Sequence, residues 1–379
     1  MTASTKSSEA SLLRIGLTEA HGMASEASEF PPPGVAYSFL KPMEESKRWI
    51  RSPIKGFMRD YAMEDFDLIE AILSPLSTDR RWILSLSNFQ EAVAFNLLGV
   101  PLPLAIRTVY IKGLLLKDNC KKVIFWSEAG KNTLRSYANI ADDRLFRKTE
   151  VVYPAIRRAP DERISFSNRV DDAQLLFSGY FFRKGGVNVI DTFERLQKIY
   201  PKLSLRLCCS EEIDFATPNL SLKQEYLNRI RQNPGITMAR ATRDELVRKL
   251  LPNADIFLVP TYVETFGFAI LEAMAFGLPI IATNHFAIPE MIADGLDGLL
   301  IDTSQYDCDR IFRGYTVNTI PDAFRDHVTN ALFHHLRRLI EDPDSRKRIG
   351  LAAVQTARRR FSFETRNEKM SRIYREALA

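Results

Sequence analysis

Short apolar runs alternate with stretches of helical period along most of this chain, a pattern that predicts strands buried on both faces and flanked by helices. In the second half, residues 173–178, 203–208, 254–259, 279–282 and 298–301 read as strands, with 236–238 a shorter extended piece. Residues 187–200, 224–231, 267–276, 324–341, 345–361 and 363–378 read as helices. Local punctuation supports this: Thr242-x-x-Glu245 is a capping box, Gly277 and Pro279 stop the helix before them, and Pro289 suits a first helical turn. The first half is less regular. Strands are predicted at 12–17, 34–40, 82–86, 123–126 and 151–153, and helices at 89–98 and 127–137, whereas the Glu-rich and triple-proline stretch after the first strand has no clear period. Alternating elements of this kind predict an α/β fold with parallel sheets.

At 379 residues the chain exceeds the size at which one core usually stops growing, so two domains are expected. Residues 157–172 are polar, charged and poor in aliphatics, as linkers are. The predicted division is a disordered Ser/Thr-rich terminus at 1–11, a first domain at 12–160, a second at 161–361, and a last helix at 362–379. No window approaches the roughly 18 apolar residues of a membrane span, and the first residues lack an apolar export core, so a cytosolic protein is expected. Cys120, Cys208, Cys209 and Cys308 have no metal-ligand spacing and read as reduced thiols, and no metal site is predicted. The net charge of +5 is mild and the basic residues are dispersed, which argues against a nucleic-acid partner.

The most informative stretch is Val-Glu-Thr-Phe-Gly-Phe-Ala-Ile-Leu-Glu-Ala-Met-Ala-Phe-Gly-Leu-Pro, from Val263 to Pro279. It follows an apolar strand, so Glu264 falls in a loop at a strand's carboxyl end, where open α/β sheets bind ligands. The helix that starts near Phe266, Gly267 and Phe268 offers unpaired N–H groups and the positive end of its dipole to an anion. Glu264 lies just before this site and Glu272 about one and a half turns inside the helix. Two carboxylates flanking a phosphate cradle match a molecule with a central diphosphate and hydroxylated rings at both ends, a nucleoside-diphosphate sugar. A second loop, Gly179-Tyr180-Phe181-Phe182-Arg183-Lys184-Gly185-Gly186, joins a strand to a helix and carries two adjacent cations suited to a diphosphate.

On these residues the chain resembles the retaining glycosyltransferases of family 4, enzymes of the GT-B fold with two Rossmann-like domains facing each other across a cleft. Glu264 and Glu272 match the family's Glu-x7-Glu, and Phe266-Gly267, Glu272-Ala273-Met274-Ala275 and Gly277-Leu278-Pro279 match its flanks. The similarity covers roughly the last two thirds, from about Cys120. It implies that Glu264 holds the donor sugar's hydroxyls, that Glu272 binds the ribose, and that Lys184 clamps the phosphates. The family's loop arginine has no clean counterpart: Tyr180 stands after Gly179 in its place, and Arg183 is the substitute within reach. Phe286-Ala287-Ile288 replaces the glycine pair usual before Pro289-Glu290. The resemblance further implies transfer of a sugar from UDP or GDP to an acceptor hydroxyl with retained configuration, without a metal or other cofactor. The acceptor domain would be the first, and the product a glycan, polysaccharide or glycolipid.

Other groups have weaker claims. His21, after the first predicted strand, and His285, after a later one, are placed to touch donor or acceptor, although a single histidine is more often a local hydrogen-bonding residue. Residues 47–59 interleave Lys47, Arg48, Arg51, Lys55 and Arg59 with apolar and aromatic residues, which suits peripheral contact with an anionic membrane and a lipid-linked acceptor. A loop over the acceptor cleft with its apolar residues in the core is the plainer and favoured reading. Two rivals to transfer remain: an epimerase or phosphorylase of the same architecture, and a nucleotide-sugar binder without turnover.

Overall fold

The computed structural model describes residues 12–20, 22–41, 61–95, 102–306 and 319–379. The chain divides into two compact units, residues 1–155 with 363–379, and residues 156–362. The terminus at 1–11, His21, the segment 47–59 and Cys308 lie outside the described residues.

Unit 1 is built on a six-stranded parallel sheet of β1 (Leu13–Leu17), β2 (Val35–Phe39), β3 (Leu68–Ile72), β4 (Trp82–Leu86), β5 (Cys120–Phe125) and β6 (Thr149–Val151), ordered β2-β1-β3-β4-β5-β6. Helices α1 (Gly22–Glu29), α2 (Phe89–Ala92), α3 (Leu104–Leu116), α4 (Glu128–Ser136) and α5 (Asp143–Lys148) connect these strands. Several of these elements depart from the sequence reading, which has no counterpart of α1, α3 or α5. The helix expected over 89–98 is regular only to Ala92, and the last strand is Thr149–Val151 instead of 151–153. The structure also adds β3, which the pattern did not show because Glu70 interrupts its apolar run.

Unit 2 carries β7 (Gln174–Ser178), β8 (Ser204–Cys208), β9 (Ile236–Met238), β10 (Ile256–Val259), β11 (Ile280–Thr283) and β12 (Leu299–Ile301) in the all-parallel order β12-β11-β10-β7-β8-β9. Its helices include α6 (Gly186–Gln197), α7 (Leu220–Gln232), α8 (Arg243–Glu245), α9 (Phe268–Ala275), α10 (Ile288–Met291), α11 (Asp322–Glu341) and α12 (Pro343–Arg360). Thr242 caps α8 as its sequence predicts, accepting from the Glu245 N–H at 3.1 Å. The polar stretch read as a linker packs on this unit. Buried Arg346 of α12 donates through Nη2 to the Ser167 carbonyl at 3.1 Å.

The last helix, α13 (Phe363–Leu378), belongs to unit 1. Its Met370, Ile373, Tyr374 and Ala377 pack against Ile15, Leu68, Ile83 and Ile124 of the sheet. The Tyr374 hydroxyl donates to Glu70 Oε2 at 2.5 Å and accepts from the Tyr37 hydroxyl at 2.7 Å, beside buried Arg366. Burial raises the Glu70 pKa, and Arg366 opposes the rise. Among the described residues, no helix is long and apolar enough to cross a membrane.

Candidate active site

In unit 2 the strand order reverses between β7 and β10, and β11 lies beside β10. Loops leaving an open α/β sheet at such a switch point part toward opposite faces and leave a crevice at the strands' carboxyl ends. The loops in question are residues 179–185 after β7, 260–267 after β10 and 284–287 after β11.

The first loop is anchored by its own aromatics. Phe181 and Phe182 are buried, and Phe181 stacks on Phe215 with ring centroids 4.0 Å apart. Gly185, at φ +79°, turns the chain into α6; a Cβ there would lie 2.0 Å from the Pro260 carbonyl oxygen, so the first two loops run in backbone contact. The Tyr262 N–H donates to the Arg183 carbonyl at 3.0 Å, and the Tyr262 hydroxyl donates to Asn188 Oδ1 of α6 at 2.7 Å. This stitching aims Lys184 at the second loop. Its Nζ donates to Glu264 Oε2 at 2.6 Å and to the Val263 carbonyl at 3.2 Å. Glu264 is only 8 % exposed, and its Oε1 accepts from the Thr265 N–H at 3.0 Å. Two residues chosen 80 positions apart in the sequence thus form one ion pair at the switch point.

Gly267 precedes α9 at φ +101°, with no side chain capping the helix. Glu272, inside that helix and also 8 % exposed, accepts from Arg243 Nε at 2.8 Å. Burial raises the Glu272 pKa, and the Arg243 guanidinium partly offsets the rise. Arg243 escaped the sequence reading because it is an ordinary member of a capping box, and only the fold brings α8 to α9.

His285 is 4 % exposed, and neither ring nitrogen has a hydrogen-bond partner among the described residues. Burial lowers its pKa from 6.5 to about 4, with Glu264 and Lys184 as the charged groups that act on it, so the ring is neutral at physiological pH. A buried polar group left unpaired costs about 1–3 kcal/mol. The next residue, Phe286, sits at φ +50°, a left-handed backbone rarely adopted by an aromatic residue and the kind of turn that glycine makes without strain. Tyr180 and Arg183 are exposed, with the guanidinium 5.7 Å from the Tyr180 ring centroid. Lys184, Glu264 and His285 are therefore brought together, Gly179, Phe266, Gly267 and Phe268 frame them along the first two loops, and Arg183 stands outside the ion pair. Among the described residues no group of His, Cys, Asp and Glu is placed to hold a metal ion.

Residues 160–308, which include all of these groups in unit 2, match the family model of glycosyl transferases, group 1. The chain is 26 % identical over 263 residues to α-maltose-1-phosphate synthase of Mycolicibacterium smegmatis, a stretch covering 65 % of this chain and 61 % of the relative. The match therefore spans less than two thirds of that relative's length. Among solved structures, sucrose-phosphate synthase of Thermosynechococcus elongatus superposes with a TM-score of 0.63 at 15 % identity, covering 96 % of this chain and 98 % of its own. Anabaena HepE in complex with UDP and glucose gives 0.62 at 15 % identity, covering 96 % and 99 %. These likenesses extend over nearly the whole chain and show the fold, two Rossmann-like α/β units of the GT-B class.

Proposed function

We propose that this chain is a glycosyltransferase that moves a sugar from a nucleoside diphosphate to an acceptor hydroxyl with its anomeric configuration retained, as in family 4. The observation that carries this reading is the Lys184–Glu264 pair at the switch point of a Rossmann-like sheet, beside the uncapped start of α9. In the reaction the bond from C1 to the diphosphate oxygen breaks, a bond from C1 to the acceptor oxygen forms, and the acceptor proton passes to the leaving phosphate. Positive charge develops on the sugar ring and negative charge on the diphosphate. Lys184 and the N-terminal amides of α9 stabilise the departing anion, and these groups are already oriented before it forms. Glu264 holds the sugar's hydroxyls near the reacting carbon, and Glu272 accepts from the ribose hydroxyls, with Arg243 keeping its carboxylate in place. UDP is the first nucleotide to test, since the HepE structure of the same fold holds UDP with glucose.

Incubation of the purified chain with UDP- and GDP-sugars, read as donor hydrolysis and as transfer to added hydroxyl acceptors, tests the reading. Lys184→Ala is expected to remove most turnover while leaving the fold intact, with a lower Tm because the buried Glu264 carboxylate loses its cation. Binding of nucleotide sugar without release of diphosphate would replace the transferase by a binding protein, and wild-type turnover in Lys184→Ala would refute the role given to that side chain.

A further inference from the structure

His285 is held in an unusual way for a residue of a surface loop. The Asn284 N–H donates to the Ile301 carbonyl at 2.8 Å, and the His285 carbonyl accepts from the Ile288 N–H at 3.1 Å, so the backbone is fastened on both sides. The left-handed turn at Phe286 leaves the Phe286 side chain half-buried while the imidazole is buried. Among the described residues both ring nitrogens go without a hydrogen bond, an arrangement that costs free energy unless a bound molecule supplies the partners.

We propose that His285 hydrogen-bonds a hydroxyl of the transferred sugar and thereby sets which sugar nucleotide the site accepts. The proposal rests on the glycosyltransferase reading of the site. A neutral imidazole offers one donor and one acceptor, and a sugar hydroxyl offers the complement of both, whereas diphosphate oxygens only accept. Cationic partners for the phosphates come from Lys184 and the start of α9, which leaves the neutral ring to the neutral part of the ligand. The ring stays neutral because burial and the nearby Lys184 outweigh the attraction of Glu264 for a proton. Sites built to bond a hydroxyl reject ligands lacking it, since the protein's own buried polar groups are then left unpaired.

The test compares wild type with His285→Leu, of similar size and apolar, and His285→Gln, which keeps a donor and an acceptor. Calorimetric titrations use UDP and GDP alone, then their hexose conjugates with epimeric and deoxy sugars. In His285→Leu the diphosphate alone is expected to bind within twofold of wild type. The preferred conjugate should lose about tenfold, its margin over the deoxy sugar should collapse, and His285→Gln should recover part of that margin. Thermal unfolding of the unliganded His285→Leu protein should be no earlier than wild type, because an unpaired polar group has been removed. Equal weakening of diphosphate and conjugate, or an unchanged sugar preference, overturns the proposal while leaving the transferase reading standing. Failure of wild type to bind any nucleoside diphosphate overturns both.

Discussion

Replacing Glu264 by Gln should push three measurable quantities in different directions. In the unliganded protein the Lys184 ammonium is held by Glu264 Oε2 at 2.6 Å, and on the proposed function a donor's phosphates must compete for it. Gln keeps an acceptor oxygen in the same place but removes the charge. Hydrogen bonds involving a charged group contribute about 1.5–3 kcal/mol net and neutral ones about 0.5–1.5, although here the ammonium is ionised in both cases, so a difference of about 1 kcal/mol is the reasonable expectation. That is the stability the variant should lose, a fall of about 2–4 °C in Tm for a unit of this size. The same energy no longer opposes phosphate capture, so UDP should bind up to about fivefold more tightly at fixed salt. Turnover should fall by about a hundredfold or more, because on the proposed function the sugar loses the carboxylate that positions it. Calorimetry with UDP, thermal unfolding and donor hydrolysis measure the three. If Glu264→Gln weakens UDP as much as Lys184→Ala does, the carboxylate is supporting the phosphate site instead of competing for it, and the argument fails.

Gly185→Ala meets both a left-handed backbone and the Pro260 carbonyl at 2.0 Å, and should cost about 2–4 kcal/mol along with turnover, since Lys184 is displaced. Gly34→Ala, with a similar φ of +76° and open space around it, should cost only about 1 kcal/mol; equal losses in thermal unfolding would refute the close contact between the loops. For His285, the folded pKa of about 4 lies below the ordinary 6.5, so the unfolded chain binds more protons between those values and stability falls as pH drops through that window. Wild type should therefore lose on the order of 2 kcal/mol more than His285→Leu between pH 7.5 and pH 5 in denaturant titrations, and parallel pH profiles would show that the ring is not buried as a neutral group.

Much of unit 2 was readable because its signals are local. Gly277 and Pro279 stop α9, Thr242 caps α8, and the apolar runs at β7, β10 and β11 are uninterrupted. Glu264, Glu272 and Lys184 stood out for the same reason, each beside a glycine turn or at a helix start. Their partners were not readable. That Lys184 reaches Glu264 depends on the order β7-β10 in the sheet, and that Arg243 meets Glu272 depends on the placement of α8. In unit 1 the hidden strand is β3, where Glu70 in the middle of Leu-Ile-Glu-Ala-Ile reads as a solvent-facing acid. Its burial is compensated by Tyr374, 304 residues later, which no window along the chain contains. α3, Leu104–Leu116, was missed because it is apolar almost all round and lacks a clear helical stripe.

The attachment of α13 to the first unit has a consequence for biosynthesis. A ribosome delivers residues 156–362 as one uninterrupted block, and that block holds every strand of the unit 2 sheet. The unit 1 sheet emerges earlier, yet the acid on its third strand has neither Tyr374 nor Arg366 beside it until residues 363–379 have left the tunnel. The half translated second can therefore close first, while the half translated first waits, with an uncovered apolar face and an acid that lacks its partners, for residues 363–379. Premature termination before Phe363 would leave a second unit with its whole sheet attached to a first unit without the helix that covers its sheet.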